Sequence, residues 1–141
     1  MSEQAFKALF REIDPEIEFS GDAIVHMAFD DPAVVLRASL SSDERQVVTD
    51  IYLFEMGSLD RRMRDALNHA ILTINDLAAM ADTFSVSVDA RGMCMLTGRS
   101  RLAEMTADAY GAALGEWFDQ VRDLLELAQA LGRVDEPAAT P

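Results

Sequence analysis

The sequence of 141 residues is long enough for one domain that buries a hydrophobic core without disulfides or metal ions. Its 12 Lys and Arg residues against 25 Asp and Glu residues give a formal net charge of −13, which repels phosphate backbones and anionic lipid headgroups. We therefore expect neither nucleic acid nor a membrane among its partners. The acidity fits simple solubility and also electrostatic steering toward a cationic partner, and composition does not choose between them.

The first predicted element is a short amphipathic helix that ends at Asp14-Pro15. Three strand-like runs follow, separated by two polar turns, and we expect them to form an antiparallel meander over residues 23–54. Alternation groups Val35 with polar residues on one face of the second run, and Val48 with polar residues on one face of the third. The apolar face of the helix has the spacing i, i+3, i+4 and i+7: Phe6, Leu9, Phe10 and Ile13.

A long amphipathic helix is predicted next, with Ser58 as its N-terminal cap. Ala66, Ala70 and Ala78 widen its apolar stripe, so its small-residue side can pack closely on the sheet or on a second copy of the helix. The stripe keeps helical spacing for about six turns: Leu59, Met63, Leu67, Ile71, Ile74, Leu77 and Ala81.

The segment 84–96 reads as a β-hairpin. Its centre, Asp89-Ala90-Arg91-Gly92, suits a type I turn followed by a glycine in the left-handed conformation. Met93 and Met95 then point to the wetter face, where flexible thioethers suit a surface that adapts to a partner; cover by another element or by a second copy is the alternative. The predicted core face consists of the opposed pairs Val86–Leu96 and Val88–Cys94, together with Phe84.

The last predicted helix begins at Met105 or Thr106 and ends at Gly132. Gly111 and Gly115 each cost about 1 kcal/mol inside a helix, so we expect close packing beside the stripe as compensation. The helix carries one continuous apolar stripe: Tyr110, Leu114, Trp117, Phe118, Val121, Leu124, Leu125, Ala128 and Leu131.

These elements predict one domain, residues 1–132, followed by a flexible C-terminal tail, residues 133–141. The single cysteine, Cys94, excludes an internal disulfide and suits a reducing compartment. The first residues lack the cationic and apolar pattern of a secretory signal, and no apolar run approaches membrane-spanning length. We therefore expect a cytoplasmic protein.

Residue types that carry out chemistry are scarce. Nucleophilic catalysis most often needs a histidine base, and the two histidines fall on a predicted strand, His26, and on the polar flank of the long helix, His69. One cysteine and two distant histidines supply no zinc site, and neither a calcium loop nor a phosphate-binding glycine-rich loop is present in the sequence. We predict a protein without enzyme activity, metal or cofactor.

A small acidic protein with the element order α-β-β-β-α-β-β-α resembles the class I type III secretion chaperones, the Tir chaperone-like family. The resemblance covers about residues 2–131 and rests on the first helix around Phe6-Lys7-Ala8-Leu9-Phe10, the middle-helix segment from Leu67 to Leu72, the hairpin and the leucine-rich last helix. It implies a single α+β domain in which a twisted antiparallel sheet packs against helices.

The same resemblance implies a cytoplasmic homodimer without ATPase activity, which binds an extended N-terminal segment of a secreted effector and keeps it secretion-competent. Effectors of this family wrap around apolar patches and often add a strand to a sheet edge. Carried over by position, it places the dimer contact on the middle helix, at Leu67, Ala70, Ile71 and Ile74, or on neighbouring strands. It assigns partner binding to Phe6, Leu9, Phe10, Ile13, Val35, Val48, Met93 and Met95.

Two alternatives remain open from the sequence. One is a chaperone-like adaptor of the same fold that acts outside secretion, for instance in regulation. The other is a small-molecule-binding or enzymatic α+β domain, which a closed polar pocket with a strongly perturbed carboxylate would favour.

Overall fold

Three α-helices, a short 3-10 helix and six strands make up the part of the chain that a computed structural model describes, residues 2–21, 23–55, 60–81, 84–89 and 91–139. Side chains are described for these residues except 77–81 and 131–139. The elements are, in chain order, α1 (Ser2–Ile13), β1 (Phe19–Ser20), β2 (Ile24–Asp30), β3 (Ala33–Leu40), β4 (Gln46–Glu55), α2 (Arg61–Ala81), β5 (Phe84–Val88), β6 (Met93–Arg101), the 3-10 helix (Leu102–Glu104) and α3 (Ala107–Ala139).

The strands form one antiparallel sheet in the order β1-β2-β3-β4-β6-β5. This arrangement confirms the predicted α+β class and the meander of three strands. The strand β1 was not predicted, because two residues are too few to show an alternation of period two. It pairs only with the start of β2, through Phe19 opposite Val25 and Ser20 opposite Ile24.

The predicted register of the second hairpin is confirmed: Val86 lies opposite Leu96 and Val88 opposite Cys94. Gly92 has a φ of 85°, and its N–H donates to the carbonyl of Asp89 at 3.0 Å, as the turn requires. Residue 90, inside the turn, lies outside the described residues. Val88 shares the core face by register, opposite Cys94, but it is 41% exposed because it lies at the turn end of an edge strand, so it is not a member of the core.

The helix ends differ from the predicted ones. The N–H of Met63 donates to Asp60 Oδ1 at 2.8 Å, so Asp60 caps α2, while the predicted cap Ser58 lies outside the described residues. The helix α3 begins at Ala107, just after its predicted start at Met105 or Thr106, and Thr106 caps it by accepting from the N–H of Ala109 at 3.1 Å. The helix α3 continues to Ala139, so its predicted end at Gly132 is not observed; glycine accepts helical backbone angles and does not stop a helix by itself. The flexible tail stays a prediction.

The core lies between the helices and one face of the sheet, which we call the inner face. On that face Thr49 of β4 lies directly opposite Gly98 of β6. The hydroxyl groups of Thr49 and Tyr110 form a hydrogen bond of 2.6 Å, and both residues are fully buried. The indole ring of Trp117 lies against Gly98 in the space where a side chain would stand. Together these contacts fix α3 on the two central strands.

The expected packing of Gly111 and Gly115 is wrong. Both residues are exposed, and a Cβ added to either would meet nothing within 4 Å. Their cost to the helix is therefore not offset by a close approach in this chain.

The glycines provide a matched pair of substitutions. We expect Gly98→Ala to lower the free energy of unfolding by about 2–3 kcal/mol, because the new methyl group overlaps the buried Trp117 ring and overpacking at a core site costs this much. Gly111→Ala should raise it by about 0.5–1 kcal/mol, because alanine favours the helix and the site is open. Urea unfolding followed by circular dichroism measures both. Equal stability of the two variants would contradict this account of α3.

Candidate partner-binding surface

The outer face of the sheet, opposite the core, carries a row of cross-strand neighbours that we call the outer row: Ala28, Val35, Tyr52, Met95 and Ser87. Each lies directly opposite the next, on β2, β3, β4, β6 and β5 in turn. Val35 is 47% exposed and Ala28 is exposed, while Tyr52 and Met95 are half-buried. The row is therefore a mainly apolar strip across five of the six strands, and it ends in a serine.

The four sheet residues predicted for partner binding all lie on the outer face. Val35 and Met95 belong to the outer row, Met93 lies opposite Glu55 beyond it, and Val48 lies opposite Ser39 on its other side. Within the described part of the chain, these four are neither members of the core nor packed against it. Their role in binding stays a prediction, but their side chains are positioned for it. Sequence reasoning missed Tyr52, whose place between Val35 and Met95 follows only from pairing across three strands.

A polar row crosses the sheet beside the outer row. Asp50 Oδ1 accepts a hydrogen bond of 2.7 Å from Thr97 Oγ1, and Asp50 Oδ2 lies 3.9 Å from Arg37 Nη1. His26 lies opposite Arg37 and continues this row onto β2. The outer face thus offers apolar contacts interrupted by a partly exposed ion pair, which suits a segment that carries both apolar and polar side chains.

The α1 residues that were predicted to bind a partner lie in or against the core. Phe6, Leu9 and Phe10 are at most 5% exposed and belong to the core, and Ile13 is half-buried against it. The ring of Phe10 meets Tyr110 edge-on, with centroids 5.2 Å apart. A partner could reach these three side chains only if α1 moved, so the observed packing gives them a structural role.

Most of the residues predicted for dimerisation also face the core of their own chain. Leu67 is fully buried and Ile71 is 7% exposed, both in the core of the same chain, and Ile74 packs partly against that core. Ala70 is half-buried. Among the described side chains of α2, which end at residue 76, Leu72 is the large apolar one that is exposed, at 64%. Sequence reasoning missed it because it lies off the apolar stripe of the helix.

One edge of the sheet, at β2, is partly open. At this edge, β2 has β3 along its whole length on one side, but β1 covers only Ile24 and Val25 on the other. Among the described residues, no strand pairs with the remaining stretch, residues 26–30, on that side. An unpaired strand edge is a template for adding a further strand.

One cavity at the surface is open to solvent. It has a volume of about 760 Å³ and lies between the start of α1, the β3–β4 turn and residues 101–103. Its carboxyl group at Asp43 accepts hydrogen bonds from the Ser41 hydroxyl and the Arg45 N–H, which lower its pKa, so Asp43 stays ionised and cannot act as a general acid near neutral pH. Burial raises the pKa of the Cys94 thiol to about 11, which leaves it a protonated core side chain.

Among the described residues, no three or more His, Cys, Asp or Glu side chains are grouped so that they could hold a metal ion. No helix in the described ranges is long and apolar enough to cross a membrane.

The sequence matches no protein-family model, and no curated protein is significantly similar to it. The fold, in contrast, is similar to solved structures over most of the chain. One is a chain of the ExsC–ExsE complex, with a TM-score of 0.71 and 15% identity, covering 91% of this chain and 96% of that one. A second is from the HopA1–SchA chaperone–effector complex, with a TM-score of 0.69 and 12% identity, covering 89% and 97%.

A third is from the Yersinia pestis type III secretion chaperone SycH in complex with a fragment of YscM2, with a TM-score of 0.64 and 12% identity, covering 88% of this chain and 99% of that one. The chain therefore has the fold of type III secretion chaperones.

The placement of the candidate residues predicts opposite outcomes for two aspartate substitutions. We expect Val35→Asp to lower the free energy of unfolding by less than about 1 kcal/mol, because the side chain stands on the outer face. Phe10→Asp should cost more than about 4 kcal/mol, because it buries an unpaired carboxylate in the core. Thermal and urea unfolding test both. A stably folded Phe10→Asp protein would instead support the partner role predicted for α1.

Proposed function

We propose that this protein is a class I type III secretion chaperone, which binds an extended N-terminal segment of a cognate effector without ATP and keeps it secretion-competent in the cytoplasm. The observation that carries the proposal is the likeness of the fold, over about nine-tenths of the chain, to chaperones solved with bound partners. An apolar strip on the outer face, unused by the core of the chain, supports it.

Binding in this proposal has two parts. Main-chain groups of the effector segment pair with the open stretch of β2, which gives affinity that does not depend on sequence. Apolar side chains of the effector contact the outer row, where Met95 and its neighbour Met93 adapt to different shapes. Burial of apolar area contributes about 25 cal/mol per Å², so a strip across five strands supplies substantial affinity without a nucleotide.

The chaperone acts as a homodimer in this proposal. The outward face of α2 contributes to the dimer contact through Leu72, because a large apolar side chain that is 64% exposed gains most from being covered. Leu67, Ile71 and Ile74 of α2 serve the core of each protomer instead.

Retention of a native partner tests the binding surface. The wild-type chain, purified from its own organism, should retain a secreted protein, and Val35→Asp or Met95→Asp should reduce that retention at least tenfold by placing a charge in the apolar strip. Ala112→Asp, with the same added charge on the exposed side of α3, is the matched control and should retain the partner fully.

Equal retention by all variants would contradict the assignment of the outer row. Retention of a protein that is never secreted would identify the chain as an adaptor outside secretion instead.

The dimer is tested by light scattering coupled to size-exclusion chromatography. The expected mass is twice that of the 15.5 kDa chain, and Leu72→Glu should return it to one chain because two charges would meet at the contact. A wild-type mass of one chain at micromolar concentration would contradict the homodimer. A Leu72→Glu protein that stays dimeric would exclude α2 from the contact.

A further inference from the structure

At the edge of β5, a side chain of the neighbouring helix α2 bonds to the main chain of the strand. The side-chain amide of Asn75, on α2, donates to the carbonyl oxygen of Val86 at 2.7 Å and accepts from the N–H of Val86 at 2.6 Å. Val86 is 2% exposed and Asn75 is half-buried. Both N···O distances lie at the short end of those found for amide hydrogen bonds.

The pair of bonds has the form of a strand contact. Since the N–H and the carbonyl of Val86 both bond to Asn75, neither is engaged with β6, and both lie on the side where a further strand would pair. An asparagine amide carries one acceptor and a donor group, the same set that a peptide unit of an added strand would present. Asn75 therefore stands in for one residue of a seventh strand.

We propose that Asn75 determines which edge of the sheet accepts an extended chain, by closing the β5 edge and leaving residues 26–30 of β2 as the open one. The choice of edge rests on the proposed strand addition, but the closure of β5 is a property of the chain alone. A sheet with two open edges would also pair with other copies of itself, and natural proteins cover or block such edges. Asn75 does this with two hydrogen bonds from a helix that is already packed there for the core.

Hydrogen exchange and sedimentation of the chain by itself test the closure. In the wild type, the Val86 amide should be protected as strongly as amides that pair between strands. In Asn75→Ala its exchange should accelerate about tenfold, the usual effect of losing one such bond. The variant should also form species larger than the wild type in a concentration-dependent way, since the edge is now open. Val88→Lys added to Asn75→Ala should reverse this association, because a lysine on an edge strand blocks edge pairing.

Thr73→Ala is the matched control. It also removes a hydrogen bond of α2, from the Thr73 hydroxyl to the carbonyl of His69, but leaves β5 untouched, so exchange at Val86 and sedimentation should match the wild type. Unprotected exchange of the Val86 amide in the wild type overturns the proposal even if Asn75→Ala fails to fold. Fast exchange in Asn75→Ala without new association overturns it too. No partner is added, so these results are independent of whether the chain binds an effector.

Discussion

The docking of α3 on the centre of the sheet is the contact on which the rest of the structure depends. Thr49 and Gly98 are neighbours on β4 and β6, and each contacts one aromatic residue of α3. Thr49 forms a buried hydrogen bond with Tyr110, and Gly98 lies against the ring of Trp117. A buried hydroxyl without its partner costs about 1–3 kcal/mol. A slip between β4 and β6 would separate Thr49 from Gly98, so that α3 could no longer make both contacts; strand pairing and helix docking are therefore coupled.

The same register determines what the chain offers to a partner. Because side chains alternate along a strand, locking Thr49 and Gly98 inward places Tyr52 and Met95 outward, and Val35 beside them. The helices bury their apolar residues on the inner face. The outer row is thus an indirect product of core packing, because the strands that carry it are held from the inner face. A site built on strands is held more precisely than one built on loops.

Sequence reasoning predicted the sheet well and the helices less well, for a physical reason. Alternation and the turn before Gly92 specify which strand residues share a face, so the outward placement of Met93 and Met95 follows from local rules. An amphipathic helix shows only that one face is apolar, not which surface covers it. For that reason Phe10 could be read as a partner contact although the chain itself buries it. Residues that act across the fold, such as Asn75, leave no pattern in the sequence.

Composition left open whether the acidity serves solubility or steers a cationic partner. The charged side chains are distributed unevenly over the fold. The exposed side of α3 carries the acidic residues Asp108, Glu116, Asp119, Asp123 and Glu126, whereas the outer face of the sheet carries charges of both signs, among them Arg37, Arg99 and Asp50. An acidic helix on the far side of the core from the outer row does not select a cationic segment there. Like charge on this side of α3 repels other copies of the chain and favours solubility. The acidic residues of α3 and the proposed binding surface therefore lie on opposite sides of the sheet.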